Sequence, residues 1–205
     1  MKNLTKFSAV LFIVFMTHVS MGQITGSAHD FSGAGWNTTG EMCIVCHTPH
    51  SANVSIADAP LWNHQITSQT FTLYTSSTLD ATLGQPDASS KLCLSCHDGV
   101  TAVDNFGGIT TGTFTITGDA NIGTNLSNDH PVSFTYDLAL ANADGGLYDP
   151  ATTNSGLGGT ISADMLFGGK LQCASCHDVH NSAGIDFFLV KSNAASALCL
   201  TCHNK

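Results

Sequence analysis

Apolar positions follow one another without a break only at the start of the chain, where Phe7 to Met16 is almost wholly hydrophobic. Lys2 and Lys6 precede or open this run, and Ser20-Met21-Gly22 behind it offers a small-x-small cleavage site. Residues 1–22 therefore read as a secretory signal peptide, with Gln23 as the first mature residue. The run is too short for a permanent bilayer span, and no later stretch approaches the necessary length. Beyond it the pattern changes. Thr70–Thr75 and Thr113–Thr117 alternate polar with apolar or aromatic side chains, which predicts two short strands. No long helical period is visible, and Gly-rich stretches at Gly107–Gly112 and Gly145–Gly159 interrupt what remains. The expected fold is mostly irregular, with short helices and a few short strands.

Such a chain needs some other source of core, and the cysteines supply a candidate. The 205 residues hold 8 Cys and 10 His. The cysteines fall as Cys43/Cys46, Cys93/Cys96, Cys173/Cys176 and Cys199/Cys202, and the next residue is always histidine: His47, His97, His177 and His203. A disulfide framework has no use for four positioned histidines. Zinc knuckles pair two Cys-x-x-Cys units into one tetrahedral site and do not require His at the next position. Cys-x-x-Cys-His is the attachment signature of haem c: two thiols add to the vinyl groups of one porphyrin, and the imidazole beside them becomes the proximal iron ligand. Four motifs predict four covalently attached haems, each motif on a turn or two of helix. Residues 23–205 leave only about 46 positions per haem, so the porphyrins are expected to form much of the apolar core.

An internal repeat orders the motifs. The first half runs Ala28-His29-Asp30-Phe31-Ser32, then Cys43 to His50, then Leu92 to His97; the second runs Asp129-His130-Pro131-Val132-Ser133, then Cys173 to His180, then Leu198 to His203. The domain expected at 23–205 thus divides into two dihaem modules, about 23–105 and 120–205. Methionine cannot serve four irons, since only Met42 and Met165 follow residue 22. Histidine can. The repeat selects His29, His50, His130 and His180 as distal ligands and leaves His64, in Leu61-Trp62-Asn63-His64, as a spare or alternative. His50 and His180 lie three residues after a proximal histidine, on the same helical face. A whole macrocycle separates each from the far side of its own haem, so each must reach a neighbouring haem. Trp36 and Trp62 read as packing residues.

Charge narrows the partners. Residues 23–205 carry 4 Lys and no Arg against 15 acidic side chains, a net of -11. Nucleic acid and anionic membrane surfaces are poor partners for such a chain.

GSAHDFS at 26–32, CIVCHTPH at 43–50, APLWNH at 59–64, SKLCLSCHDG at 90–99, SNDHPVSFTYD at 127–137, GKLQCASCHDVHN at 169–181 and SALCLTCHNK at 196–205 carry a resemblance. In these pieces and their order the chain resembles the tetrahaem extracellular cytochromes of metal-reducing bacteria that polymerise into nanowires. The resemblance implies electron transfer through stacked bis-histidine haems in a secreted, cell-surface protein that exchanges electrons with redox partner cytochromes or extracellular acceptors. It also implies a head-to-tail homopolymer in which one iron takes its distal histidine from the next subunit. His29, near the mature start, is the expected bridging ligand; His64 and His130 compete for that role, and His29 has an intramolecular use as the alternative. A monomeric periplasmic shuttle has the same haems without the polymer. A multihaem reductase needs an iron with an open position, and distal candidates here are in excess.

Overall fold

The computed structural model of the protein describes residues 23–56 and 59–204; the expected signal peptide lies outside them. Four short helices and one two-stranded sheet are set in an otherwise irregular chain: α1 (Ala88–His97), α2 (Leu138–Asp144), α3 (Ile161–Asp164), α4 (Cys199–Cys202), β1 (Phe134–Thr135) and β2 (Lys170–Leu171). The mostly irregular fold class expected from the sequence is the one observed. Among the described residues no helix is long and apolar enough to cross a membrane.

The helices start and stop for local reasons. Asp137 caps α2 by accepting from Leu140 N–H, and Gly145, at φ 66°, ends it in the left-handed conformation that glycine adopts without steric cost. Thr160 caps α3 by accepting from Ala163 N–H. α1 is stopped by Gly99, at φ 69°, one residue beyond Asp98. Asp98 itself is buried and accepts from Thr67 Oγ1, Thr101 Oγ1 and the N–H groups of Val100 and Thr101. Burial raises its pKa, and these hydrogen bonds outweigh that and hold it below the ordinary carboxylate value.

The expected strands are not ladders. Thr72 forms a single parallel bridge with Asn125, and the rest of Thr70–Thr75 belongs to no strand. Thr113–Thr117 forms no strand either, its Thr113 and Phe114 N–H groups taken by the Asp104 carboxylate. The ladder forms instead between β1 and β2, antiparallel, with Phe134 opposite Leu171 and Thr135 opposite Lys170.

Two small apolar clusters are present. One joins Phe134, Tyr136, Ile161, Met165, Leu171 and Leu198; the other is Phe71, Leu94 and Leu126. Met165 is packed wholly inside the first. Trp62 is buried, and Trp36 rests against Phe31, Phe106 and Phe114, so both are packing residues.

Gln172, 1% exposed, ties the second motif to the third. Its carbonyl accepts from Ser90 and from Ser133 Oγ at 2.9 Å, and its amide donates to Asp87 at 2.8 Å. Asp87 also pairs with Lys170, and Cys173 N–H donates to Ser90 Oγ at 3.0 Å. Gln172→Ala strands two buried hydroxyls, Ser90 and Ser133, each costly to leave unsatisfied, and takes a donor from the half-exposed Asp87. It is expected to lower stability by about 3 kcal/mol in denaturant titration of the haem-loaded protein; a loss below about 1 kcal/mol would mean that water replaces the amide.

Candidate haem sites

Each Cys-x-x-Cys-His segment is wound so that its three chemical groups share one side. Cys43–Val45 and Cys173–Ser175 are single 3-10 turns, the second motif closes α1, and the fourth forms α4. His47 N–H donates to Cys43 C=O at 2.8 Å, His177 to Cys173 at 3.0 Å and His203 to Cys199 at 3.0 Å. Positions i, i+3 and i+4 of such a turn lie on one face, which is where two thioethers and a proximal imidazole must stand together.

The imidazoles are oriented by backbone carbonyls. Nδ1 of His47 donates to Pro60 C=O at 2.6 Å, Nδ1 of His97 to Ala120 C=O at 2.7 Å and Nδ1 of His177 to Phe187 C=O at 2.8 Å. A carbonyl accepts only, so Nδ1 carries the proton and Nε2 keeps its lone pair, the tautomer a metal ligand needs. Among the distal candidates, His130 does the same through Pro131 C=O at 2.9 Å.

Three proximal histidines face a second ring at nearly one separation. The centroids are 6.2 Å apart for His47 and His180, 6.1 Å for His97 and His29, and 6.3 Å for His203 and His130. An iron bonded at about 2 Å to a nitrogen of each ring would set the centroids about 6.3 Å apart. The donor set therefore fits bis-histidine haem iron. His180 follows the third motif and meets the proximal ligand of the first, so the first and third motifs are neighbours. The rings of His47 and His180 are within 19° of parallel, whereas the other two pairs are close to perpendicular, at 89° and 77°. His50, on the surface, and His177 are not in such a pair among the described residues.

His29 is the most enclosed of the paired rings. Its Nδ1 is buried without a hydrogen bond, an arrangement that is costly unless something meets the nitrogen. Burial, then the nearby His97, push its pKa down to about 4, so the ring is neutral and able to ligate. Within the one chain described it lies beside His97, at 6.1 Å between ring centroids. His64, 2% exposed, turns both ring nitrogens to backbone oxygens, Nδ1 to Gln65 at 2.8 Å and Nε2 to Ala102 at 3.0 Å. The Cys96 sulfur lies 3.6 Å from that Nε2.

Each motif adjoins the next. Cys46 is close enough to Cys96 to help burial raise the Cys96 thiol; Cys93 donates to Cys173, which raises Cys93 and brings Cys173 down to about 7; and Cys202 and Cys199 add to the burial that lifts Cys176 to about 11. Among the described residues no three His, Cys, Asp or Glu side chains converge as a zinc cage would require.

Sequence reasoning missed the carbonyl acceptors and the Gln172 hub. Neither carries a motif, since any residue type can offer a carbonyl.

A family model described as the doubled CXXCH motif matches residues 166–205, the stretch that holds the third and fourth motifs. Comparison with curated proteins finds no match. The match indicates the covalent haem-attachment motif of a multihaem c-type cytochrome in residues 166–205.

Proposed function

We propose that the chain carries four haems c, each on two thioethers and two imidazoles, and passes electrons along them as a subunit of an extracellular filament. The observation that carries this reading is the common 6.1–6.3 Å spacing of the three imidazole pairs. When bound, each haem supplies a one-electron iron couple whose potential depends on its axial ligands and their hydrogen bonds. The residues do the holding. Cys43/Cys46, Cys93/Cys96, Cys173/Cys176 and Cys199/Cys202 anchor the rings, and the axial pairs are His47 with His180, His97 with His29, and His203 with His130. His50 is the imidazole left for His177. The two His-x-x-His turns meet through His47 and His180. With no iron left open, substrate reduction has no site.

The polymer rests on the resemblance and on the N-terminal arm. The arm meets the rest of the chain through ring contacts of His29 with His97 and Phe188, and through Trp36. Exchange of this arm between copies reproduces the same contacts across a junction and yields an open, head-to-tail assembly. Residues 1–22 direct export, and the filament stands at the cell surface with redox partner cytochromes or extracellular acceptors. The His29–His97 pair closed within one chain specifically favours the second reading, a monomeric periplasmic shuttle.

Electron microscopy of cell-surface material, together with the His29→Ala variant, separates the two. Filaments that give way to soluble subunits with one five-coordinate haem are expected. Intact His29→Ala filaments with every iron low-spin would exclude His29 as the bridging ligand, and monomers from wild-type cells would establish the shuttle.

A further inference from the structure

The two His-x-x-His motifs share a clasp that their sequences do not show. Opposite the first motif, Pro60 C=O accepts His47 Nδ1–H, Leu61 C=O accepts Thr48 N–H at 2.9 Å, Trp62 bridges to His47, and Asn63 N–H donates to Cys46 C=O at 2.9 Å. Opposite the third, Phe187 C=O accepts His177 Nδ1–H, Phe188 C=O accepts Asp178 N–H at 2.6 Å, Leu189 bridges to His177, and Val190 N–H donates to Cys176 C=O at 3.0 Å. The bonding is the same at every step. Yet the clasping residues are Pro-Leu-Trp-Asn in one case and Phe-Phe-Leu-Val in the other, at different distances along the chain.

In each clasp the second residue is left-handed, Leu61 at φ 52° and Phe188 at φ 58°. Neither is a residue type that favours this region, and Leu61 is 58% exposed, so burial of its side chain does not impose it. The clasp itself gives a reason. In extended chain successive carbonyls point to opposite sides, and only a helical-type torsion at the residue between them turns both the same way. One carbonyl can then take the imidazole proton while the next takes the backbone N–H of the turn.

We propose that Leu61 and Phe188 are positioning residues that set the ligand strength of His47 and His177, and through it the potentials of the haems on the first and third motifs. This rests on the haem assignment above. A proton donated from Nδ1 to a well-placed carbonyl leaves Nε2 more basic, which favours oxidised iron and lowers the potential. The second motif is an internal control. His97 also donates to a carbonyl, that of Ala120, but there the N–H groups of Ile122 and Gly123 donate to the His97 carbonyl and no left-handed side-chain-bearing residue takes part.

The test uses the haem-loaded full chain with Leu61→Ile, Leu61→Gly, Phe188→Ile and Phe188→Gly. Isoleucine resists the left-handed region and glycine enters it freely. Each isoleucine variant is expected to raise the potential of one haem, a different one in each case, by about a tenfold change in its reduction equilibrium, or about 59 mV for one electron. Each glycine variant is expected to keep wild-type potentials and low-spin spectra. Isoleucine variants with four unshifted haems, or glycine variants that shift as far as the isoleucine ones, would overturn the proposal. A measurement on the wild type stands whether or not the variants mature: in protein labelled with 15N-histidine, Nδ1 of His47 and of His177 should show the shift of a hydrogen-bonded N–H, and the shift of an unprotonated nitrogen at either would equally overturn it.

Discussion

Made without haem attachment, the protein is expected to show no cooperative thermal unfolding and no fixed near-ultraviolet circular dichroism from its aromatic side chains. Ordering a residue costs about 1–2 kcal/mol in backbone entropy, and burial of apolar surface must offset it. Here the larger apolar cluster gathers around Phe134, Ile161 and Met165, and the smaller consists of Phe71, Leu94 and Leu126. That is little core for the described residues. Large side chains meanwhile stand in solvent: Val54, Val100, Phe114, Phe187 at 81% exposure, and Leu200 inside the fourth motif. Apolar rings bound at the four motifs would cover surface of this kind, so haem attachment and folding are coupled as metal binding and folding are in small metal-dependent domains. A Cys-to-Ser chain lacking all eight thiols, followed by calorimetry, checks this. A sharp transition in that chain would show that the polypeptide core suffices.

His180→Ala is expected to convert one haem of four to a five-coordinate, high-spin state that binds carbon monoxide rapidly, while His64→Ala leaves all four low-spin. The contrast follows from where the two rings point. The His180 ring lies 6.2 Å from that of His47, within 19° of parallel, and its backbone N–H is held by Asp178 Oδ1 at 2.9 Å. On the proposed assignment, removal takes away the one imidazole paired with His47 among the described ring contacts. His64 is buried with a backbone carbonyl beside each ring nitrogen, one of which its single N–H can serve, and its loss is felt as packing and an unpaired carbonyl group, about 1–3 kcal/mol of stability with no change at iron. Electron paramagnetic resonance and absorbance spectra of the two variants distinguish the cases. A high-spin signal in His64→Ala would mean that His64 is an axial ligand and that one of the other four distal candidates is spare.

How far the sequence could be read differs between the two kinds of element in the molecule. Thr113–Thr117 illustrates the limit on the fold: its alternation predicts a strand, and no ladder forms there. Here the Asp104 carboxylate takes the place of a neighbouring strand. β1 and β2, only two residues each, are too short to carry any alternation, and their pairing depends on Gln172, Ser90 and Ser133 holding distant segments together.

What the amino-acid sequence determined by itself is the chemistry: eight thiols and four adjacent histidines in fixed local spacing, a short helical turn at each motif, and a largely irregular chain between them. Those features are local, because a turn of helix sets the relation of residues three and four apart whatever the rest of the chain does. Tertiary structure alone decided which imidazole meets which. His180 lies far from His47 in the chain and faces it in space at 6.2 Å; Pro60 and Phe187, in segments without common sequence, meet equivalent nitrogens. Such contacts are made by backbone carbonyls and by the closing of long loops. Neither leaves a signature in residue type, since every residue has a carbonyl and the cost of closing a loop grows only slowly with its length.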